Sequence, residues 1–380
     1  MSIDFVWPLV FCALIVILGV TALNTLTFPR LRSSALQVNP LVSVLVPARD
    51  EAPMIAETVR RILAQDYPSF ELILLDDHSS DGTADLAKAA AGDDTRMLIL
   101  AGQALPDGWT GKSWACWQLA GKAQGEILVF SDADVRWESG ALTAIVAGMQ
   151  ATKADVFSVW PTQRSGSWGE RLVVPLMMFA VLGYLPEVAV RFVPLSAFAA
   201  ANGQCLAFRK EAYERVRGHF SVRNRVVEDV AMARLSKASG LRLVMALGSE
   251  LVWCRMYKCW HEVRDGFAKN ILAGHGHPLY LVASTLFHWL LFIVPWIWLL
   301  VGGWIDLGTG WPFAPLLLIG LGLGSRLLSA KVAGHRLVDA AFMPVSVFLM
   351  TIIAIQSLWW HAHGGPLWKG RKISQRGTDV

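Results

Sequence analysis

Three acidic clusters interrupt a chain that is otherwise poor in charge: DDHSSDGT (76–83), SDADV (131–135) and VVEDV (226–230). Asp132 and Asp134 stand one residue apart. Carboxylates so spaced suit a hard divalent cation, which seeks clustered oxygens; a turn in which aspartate bonds its own backbone is the other reading. Glu228 and Asp229 precede a helical stretch, VAMARLSKA, where the helix dipole favours a carboxylate by about 0.3–1 kcal/mol. The residues alone leave cation site and turn, base and cap, open.

The elements around these clusters bear on the choice. LVSVLVPA (41–48) and ELILLDD (71–77) are continuous apolar runs of the kind buried on both faces of a parallel sheet. RMLILAG (96–102) and EILVFSD (126–132) repeat the pattern, and the helical MIAETVRRILAQ, TADLAKAAA and WACWQLAGKAQG alternate with them. Alternation of this kind predicts an α/β domain with a mostly parallel sheet. Such sheets bind ligands beyond the carboxyl ends of their strands, where DDHSSDGT and SDADV both fall. No G-x-G-x-x-G follows a strand and no P-loop occurs, so nucleotide binding would rest on acidic residues and a metal.

The chain is 54% hydrophobic and 17% charged with 17 Trp, outside the range of soluble domains. Residues 5–28, 279–305, 312–325 and 340–360 carry no charged side chain, and 312–325 is short for a span of about 20 residues. The organisation expected is a membrane anchor at 1–29, a globular domain at 30–278, and membrane or interfacial helices with a basic tail at 279–380. Arg30 and Arg32 after the first segment place the globular domain in the cytoplasm by the positive-inside rule, on a multi-pass protein of the inner (plasma) membrane. A fourth span would put the tail WKGRKISQR outside, which predicts a re-entrant or interfacial last segment. Residues 171–201, apolar but broken by Pro175, Pro186 and Pro194, are expected as helices in the membrane interface. Five unpatterned cysteines read as reduced thiols. The interleaved basic and acidic residues point to anionic lipid and away from nucleic acid. His275, His277, His361 and His363 read as interfacial histidines.

In order, VPARDE, LLDDHSSDGT, GWTGKSWA, FSDADV, NGQCLAFRKEAY, VVEDVAMA and RMYKCWHEVRDGFAKN resemble the family 2 glycosyltransferases of GT-A fold, through about residues 41–275. One span before the domain and several after it is similar to lipid-directed members: ceramide glucosyltransferase and the bacterial carotenoid (chlorobactene-type) and hopanoid-associated enzymes. The resemblance implies that Pro47, Arg49, Glu51, Asp77, Lys112, Asp132 and Arg255 bind a nucleotide sugar. It implies that Asp134, with Asp132, holds Mg2+ or Mn2+, and that Asp76 and Asp81 order their loop. Asn202, Gly203, Gln204, Glu228 and Trp260 would lie toward the acceptor, with Asp229 as general base. Processive and ceramide-type relatives carry Q/R-x-x-R-W, whereas Arg255-Met-Tyr-Lys258-Cys-Trp260 has Lys for the second Arg and a shifted Trp. The implied activity is inverting transfer of one hexose, glucose favoured, from a UDP-sugar to a hydroxyl of a membrane lipid, a carotenoid-like or other polyisoprenoid acceptor favoured. A processive polysaccharide synthase and a non-catalytic membrane scaffold of the same fold are the alternatives.

Overall fold

The computed structural model describes residues 5–32, 36–368 and 371–372, so most of the basic tail lies outside the described residues. Ten strands build the domain: β1 (Val42–Ala48), β2 (Phe70–Asp76), β3 (Met97–Ala101), β4 (Ile127–Ser131), β5 (Val135–Trp137), β6 (Val156–Trp160), β7 (Thr162–Gln163), β8 (Cys205–Arg209), β9 (Leu243–Leu247) and β10 (Val252–Cys254). Seven of them form the central sheet in the order β3-β2-β1-β4-β8-β6-β9. Its pairs are parallel except those of β8, which runs antiparallel to both β4 and β6. A second sheet, β5-β10-β7, closes over the carboxyl end of β4.

Period-two side-chain alternation explains the continuous apolar runs. Val42, Val44, Val46, Leu72, Leu74 and Val129 enter the core on one face, and Leu45, Ile73, Leu75, Leu128 and Phe130 the core on the other. The first face is covered by α2 (Ala52–Leu63) and α5 (Ala141–Thr152), with α1 (Val6–Thr27) leading in and α3 (Thr83–Ala91) and α4 (Gly111–Ala120) between them in the chain. Leu119 of α4 helps to cover the second.

The segment 171–201 forms α6 (Trp168–Val173), α7 (Pro175–Tyr184) and α8 (Glu187–Phe192). Rather than lying apart, α7 packs through Phe179 on Val10, Leu14 and Ile17 of α1. The Asn24 amide of α1 donates to Leu182 O at 2.8 Å and Leu185 O at 2.9 Å, and accepts from Glu187 N at 2.8 Å. One buried side chain thus closes α7 and starts α8. Beyond α1 the chain joins the edge of β9, Leu31 N donating to Leu247 O at 2.9 Å.

After β8, α9 (Lys210–Arg215) and α10 (Gly218–Ser221) lead to α11 (Glu228–Ala238), and β10 leads to α12 (Trp260–His275), α13 (Pro278–Phe292) and α14 (Val294–Val301). α15 (Phe313–Ala333) and α16 (Met343–Ala362) follow. Among the described residues, four helical stretches are long and apolar enough to cross a membrane: Val6–Thr27, Pro278–Val301, Phe313–Ala333 and Leu337–Ala362. The third exceeds the uncharged 312–325 because packing buries Arg326, 1% exposed, instead of ending the helix. α16 lies along α6 and α12, with Leu349 and Ile353 against Val173 and Val263. The ring of His277 caps α13, its Nδ1 accepting from Leu279 N at 3.1 Å.

Candidate active site

Strand polarity assembles the site. β2 and β4 run parallel to β1, so the residues after them, Asp77 and Asp132, leave the sheet at one edge. β8 runs the other way and pairs Cys205 with Ser131, which brings Asn202, Gly203 and Gln204 to the same edge. Asp132 N donates to Gln204 O at 3.0 Å, fastening the SDAD turn to this loop. Thr58 of α2 supports the turn from behind, its hydroxyl donating to Ala133 O at 2.6 Å and accepting from Arg136 at 2.6 Å.

The N-terminus of α11 completes the cluster. Asp229 accepts from Gly203 N at 2.8 Å and from Val230 N at 2.8 Å. A Cβ on Gly203 would stand 3.2 Å from Asp229 Cβ and 3.3 Å from Lys112 Nζ, so any side chain here would press these two residues back by a few tenths of an ångström. Lys112, in the first turn of α4, bridges Asp132 at 2.8 Å and Glu228 at 3.0 Å. Thr110 caps that helix by accepting from Ser113 N, which fixes the direction from which the lysine enters. A small cavity lies among Pro47, Lys112, Asp132, Gly203, Glu228 and Asp229.

Charge is unevenly matched here. Burial and then Glu228 push Asp229 up to about 6. Burial, Asp132 and Glu51 push Asp134 up to about 6 as well. Burial opposes the charge on Lys112, but Asp132 and Glu228 outweigh it and hold the ammonium well above its ordinary range. Glu228 is held low because Lys112 overcomes its burial. On the adjoining loop, Arg49 donates to Asp77 O at 2.8 Å, and Asp77 is buried. Asp81 accepts from Thr83 N at 3.1 Å and Ala52 N at 2.9 Å, the first residues of α3 and α2, so it ties the loop to the starts of both helices.

This arrangement has counterparts among known proteins. Residues 43–217 match the model of glycosyl transferase family 2. The chain carries a family 2 glycosyltransferase domain. Curated relatives of the chain are 4,4'-diaponeurosporenoate glycosyltransferases: that of Staphylococcus haemolyticus (strain JCSC1435) is 24% identical over 265 residues, 67% of this chain and 66% of the relative. That of Staphylococcus aureus (strain MRSA252) is 25% identical over 266 residues, 69% of each. The match to the first thus spans just under two thirds of that relative's length. A mannosyltransferase from Pyrobaculum calidifontis, solved in complex with GDP-Man and Mn2+, shares the fold with a TM-score of 0.56 at 19% identity, over 93% of this chain and 99% of that one. The architecture is GT-A, a mostly parallel sheet with helices on both faces.

The carboxylates of the glycosyltransferase domain fit a divalent cation of a particular kind. Among the described residues no three His, Cys, Asp or Glu side chains converge as a metal cage. Asp134 nevertheless faces Asp132 and Glu51, and the mutual repulsion would be relieved by a cation. A site with one or two protein carboxylates, its remaining ligands being water and substrate phosphate, is the habit of Mg2+.

Arg255 and Trp260 are placed differently from the rest. Arg255 forms a two-pronged pair with Glu170 at 2.9 and 3.1 Å, and Glu170 is held down at about 2: burial raises it, but Arg255 and the N–H groups of Gly166 and Ser167 prevail. Trp260 stacks on Trp168, ring centres 5.4 Å apart. Arg255 therefore ties the segment after β10 to α6, and Trp260 braces the start of α12 against the same helix. Cys254, immediately before Arg255, does reach the cluster: its thiol donates to Asp134 Oδ2 at 3.4 Å and accepts from Gln204 Nε2 at 3.2 Å. Neither Cys254 nor Thr58, Gln163 or Glu170 is flagged by a motif. Only the position of Cys254 directly before RMY offered a signal.

Proposed function

We propose that the protein moves a single hexose, with inversion, from a nucleotide-diphosphate sugar to an apolar polyisoprenoid, carotenoid-like acceptor held in the bilayer. UDP-glucose is the donor to test first and GDP-mannose the second. The observation that carries this reading is the meeting of Asp132, Asp134, Lys112 and Asp229 at one sheet edge of a domain tied to four apolar helices. Residues 1–29 act as an anchor, 30–278 as a cytoplasmic domain and 279–380 as the membrane-bound remainder.

In this mechanism Pro47, Arg49, Glu51 and Asp77 seat the nucleotide at the ends of β1 and β2. Asp134 and Asp132 would hold the divalent cation, which as a Lewis acid offsets charge gathering on the departing diphosphate. Lys112, charged between its two carboxylates, supplies a further cation beside the same group. The acceptor oxygen attacks the anomeric carbon on the face opposite the diphosphate. Its proton passes to an Asp229 carboxylate oxygen, and the electron pair of the broken C–O bond leaves with the diphosphate. Gly203 N and Val230 N hold that carboxylate in place.

The relatives' printed acceptor, 4,4'-diaponeurosporenoate, is by name a carboxylate, which supports a second reading. A carboxylate nucleophile has no proton to lose and needs no base. Mass spectrometry of lipids from cells expressing the wild type or Asp229→Asn separates the readings. Hexose-bearing lipid with the wild type and none with the variant supports the hydroxyl acceptor; hexosyl ester with both supports the acid. A soluble polymer with no hexosyl lipid refutes both.

A further inference from the structure

The buried face of α11 is formed by Met232, Ala233, Ser236 and Lys237, and the helical period calls for an apolar side chain at the last of these. Lys237 is instead a buried cation, 6% exposed. Its ammonium commits all three N–H bonds to backbone carbonyls: Val190 O at 2.6 Å, Phe198 O at 2.9 Å and Ala189 O at 3.2 Å. No carboxylate answers it among the described residues. Lysine is almost never buried without a charged partner, so what it joins bears on why it stands here. It joins the end of α8 and the turn Ser196–Phe198 to the helix whose first turn carries Asp229.

Residues 190 and 198 are the two feet of a loop. Between them RFVPLSA (191–197) has one charge, at Arg191, which is turned back to Glu187 at 3.6 Å. Phe192 and Leu195 are 64% and 58% exposed, whereas Val190 and Ala199 at the feet are buried in the core. The loop starts at the membrane boundary proposed for α1, because Asn24, three residues from the end of that helix, holds Glu187 N. It ends at the site, because residues 199–202 lead directly to Gly203, whose N–H donates to Asp229. The returning chain is thus fastened to α11 twice. Lys237 and Asp229 are eight residues apart on the helix, about 12 Å of rise. The five residues from Phe198 to Gly203 reach about 17 Å at full extension, which leaves little slack.

We infer that Lys237 is a positioning residue for sugar transfer: it registers the apolar loop 191–197 against the helix of Asp229, so that a long polyisoprenoid acceptor lying on the loop presents its hydroxyl to that carboxylate. The inference deepens the hydroxyl-acceptor reading given above and rests on it. The occupant follows from the two ends of the loop. One end meets a helix apolar enough for a membrane and the other leads to Asp229. A molecule that reaches both is apolar along its length and nucleophilic at one end. Lys237 touches neither donor nor acceptor; it acts through the backbone that it holds. Loss of its ammonium frees the loop and leaves Lys112, Asp132 and Asp134 as they are.

Full-length protein in nanodiscs, supplied with Mn2+ and whichever of UDP-glucose and GDP-mannose it binds, separates this role from a merely structural one through two acceptors. Solanesol is a long polyisoprenoid alcohol that lies in the bilayer; geraniol is a short one that can reach Asp229 without the loop. Lys237→Met keeps the length of the side chain and removes its donors. It should lower kcat with solanesol by about 10², the scale of a small misplacement remote from the chemistry, while kcat with geraniol and donor affinity by calorimetry stay within about threefold. Lys237→Arg keeps a cation at the carbonyls and should recover most of the solanesol rate. Phe192→Ser with Leu195→Ser changes only exposed side chains and should instead raise KM for solanesol by about tenfold or more, through lost apolar contact. Equal losses with both alcohols in Lys237→Met, an undiminished solanesol rate in it, or a wild type that accepts geraniol but not solanesol overturns the inference. So does an unchanged solanesol KM in the double variant, which decides the matter where Lys237→Met does not fold. A wild type that binds donor yet glycosylates neither alcohol refutes instead the hydroxyl-acceptor reading.

Discussion

Asp229→Asn should make the protein more stable and, with a hydroxyl acceptor, inactive. Burial and Glu228 raise Asp229 from 3.8 to about 6, so the folded state pays to keep it ionised at pH 7. A shift of that size corresponds to roughly 1–3 kcal/mol, allowing for relaxation around a coupled group. The sign follows from the direction of the shift. Below pH 3.8 the carboxyl is neutral folded or unfolded and nothing is lost; as pH rises through about 6 the penalty grows to its full value and then stays constant. Asparagine carries no charge at any of these pH values, and its amide oxygen still accepts one of the two N–H bonds that Asp229 receives. Thermal unfolding in detergent with chelator present should therefore show wild type and variant converging near pH 4 and the variant ahead above pH 6. In parallel, wild-type kcat/KM should fall about tenfold per pH unit below about 6, and the variant should lose about 10²–10⁴ in rate while still binding donor. A variant less stable than wild type by the same margin at every pH would refute the electrostatic account of this site.

Asp134→Asn should remove most divalent-cation dependence and lower transfer by about 10²–10³, measured as rate against Mn2+ or Mg2+ after chelation; activity equal to wild type at low cation would place the metal elsewhere. Gly203→Ala inserts a methyl 3.2 Å from Asp229 Cβ and 3.3 Å from Oδ2; kcat should drop about tenfold or more with donor KM little changed. Asn24→Leu strips three backbone partners at the junction of α7 and α8, and a cost of about 1–3 kcal/mol per orphaned group should appear as a clear fall in the unfolding midpoint.

The half of the domain proposed to bind the donor was legible because its signals are local. β1, β2 and β4 are mostly apolar runs, and the aspartates of the first two acid clusters lie where β2 and β4 leave the sheet. The acceptor half was less so. CLAFR looks like any short buried strand, and its reversed direction is set by pairing with β4 and β6, not by its own residues. Arg255 illustrates the same limit. Its motif resembles a donor-binding one, but Glu170, 85 residues earlier, captures the guanidinium. The length of α15 was hidden because Arg326 reads as a helix end until neighbouring helices bury it.

The reversed strand has a consequence for how such a protein can change. β6 runs out of the sheet at the edge where β8 runs in, so residues 164–201, ahead of the Asn202–Gln204 loop that holds Asp132 and Asp229, form an excursion that departs from and returns to one place. An excursion of that shape is a cassette. It can be lengthened or shortened without altering a single strand pairing of β1, β2 or β4. Under the proposed function, a change of acceptor then requires replacing one contiguous stretch of chain, with the strands that carry Asp77 and Asp132 left as they are.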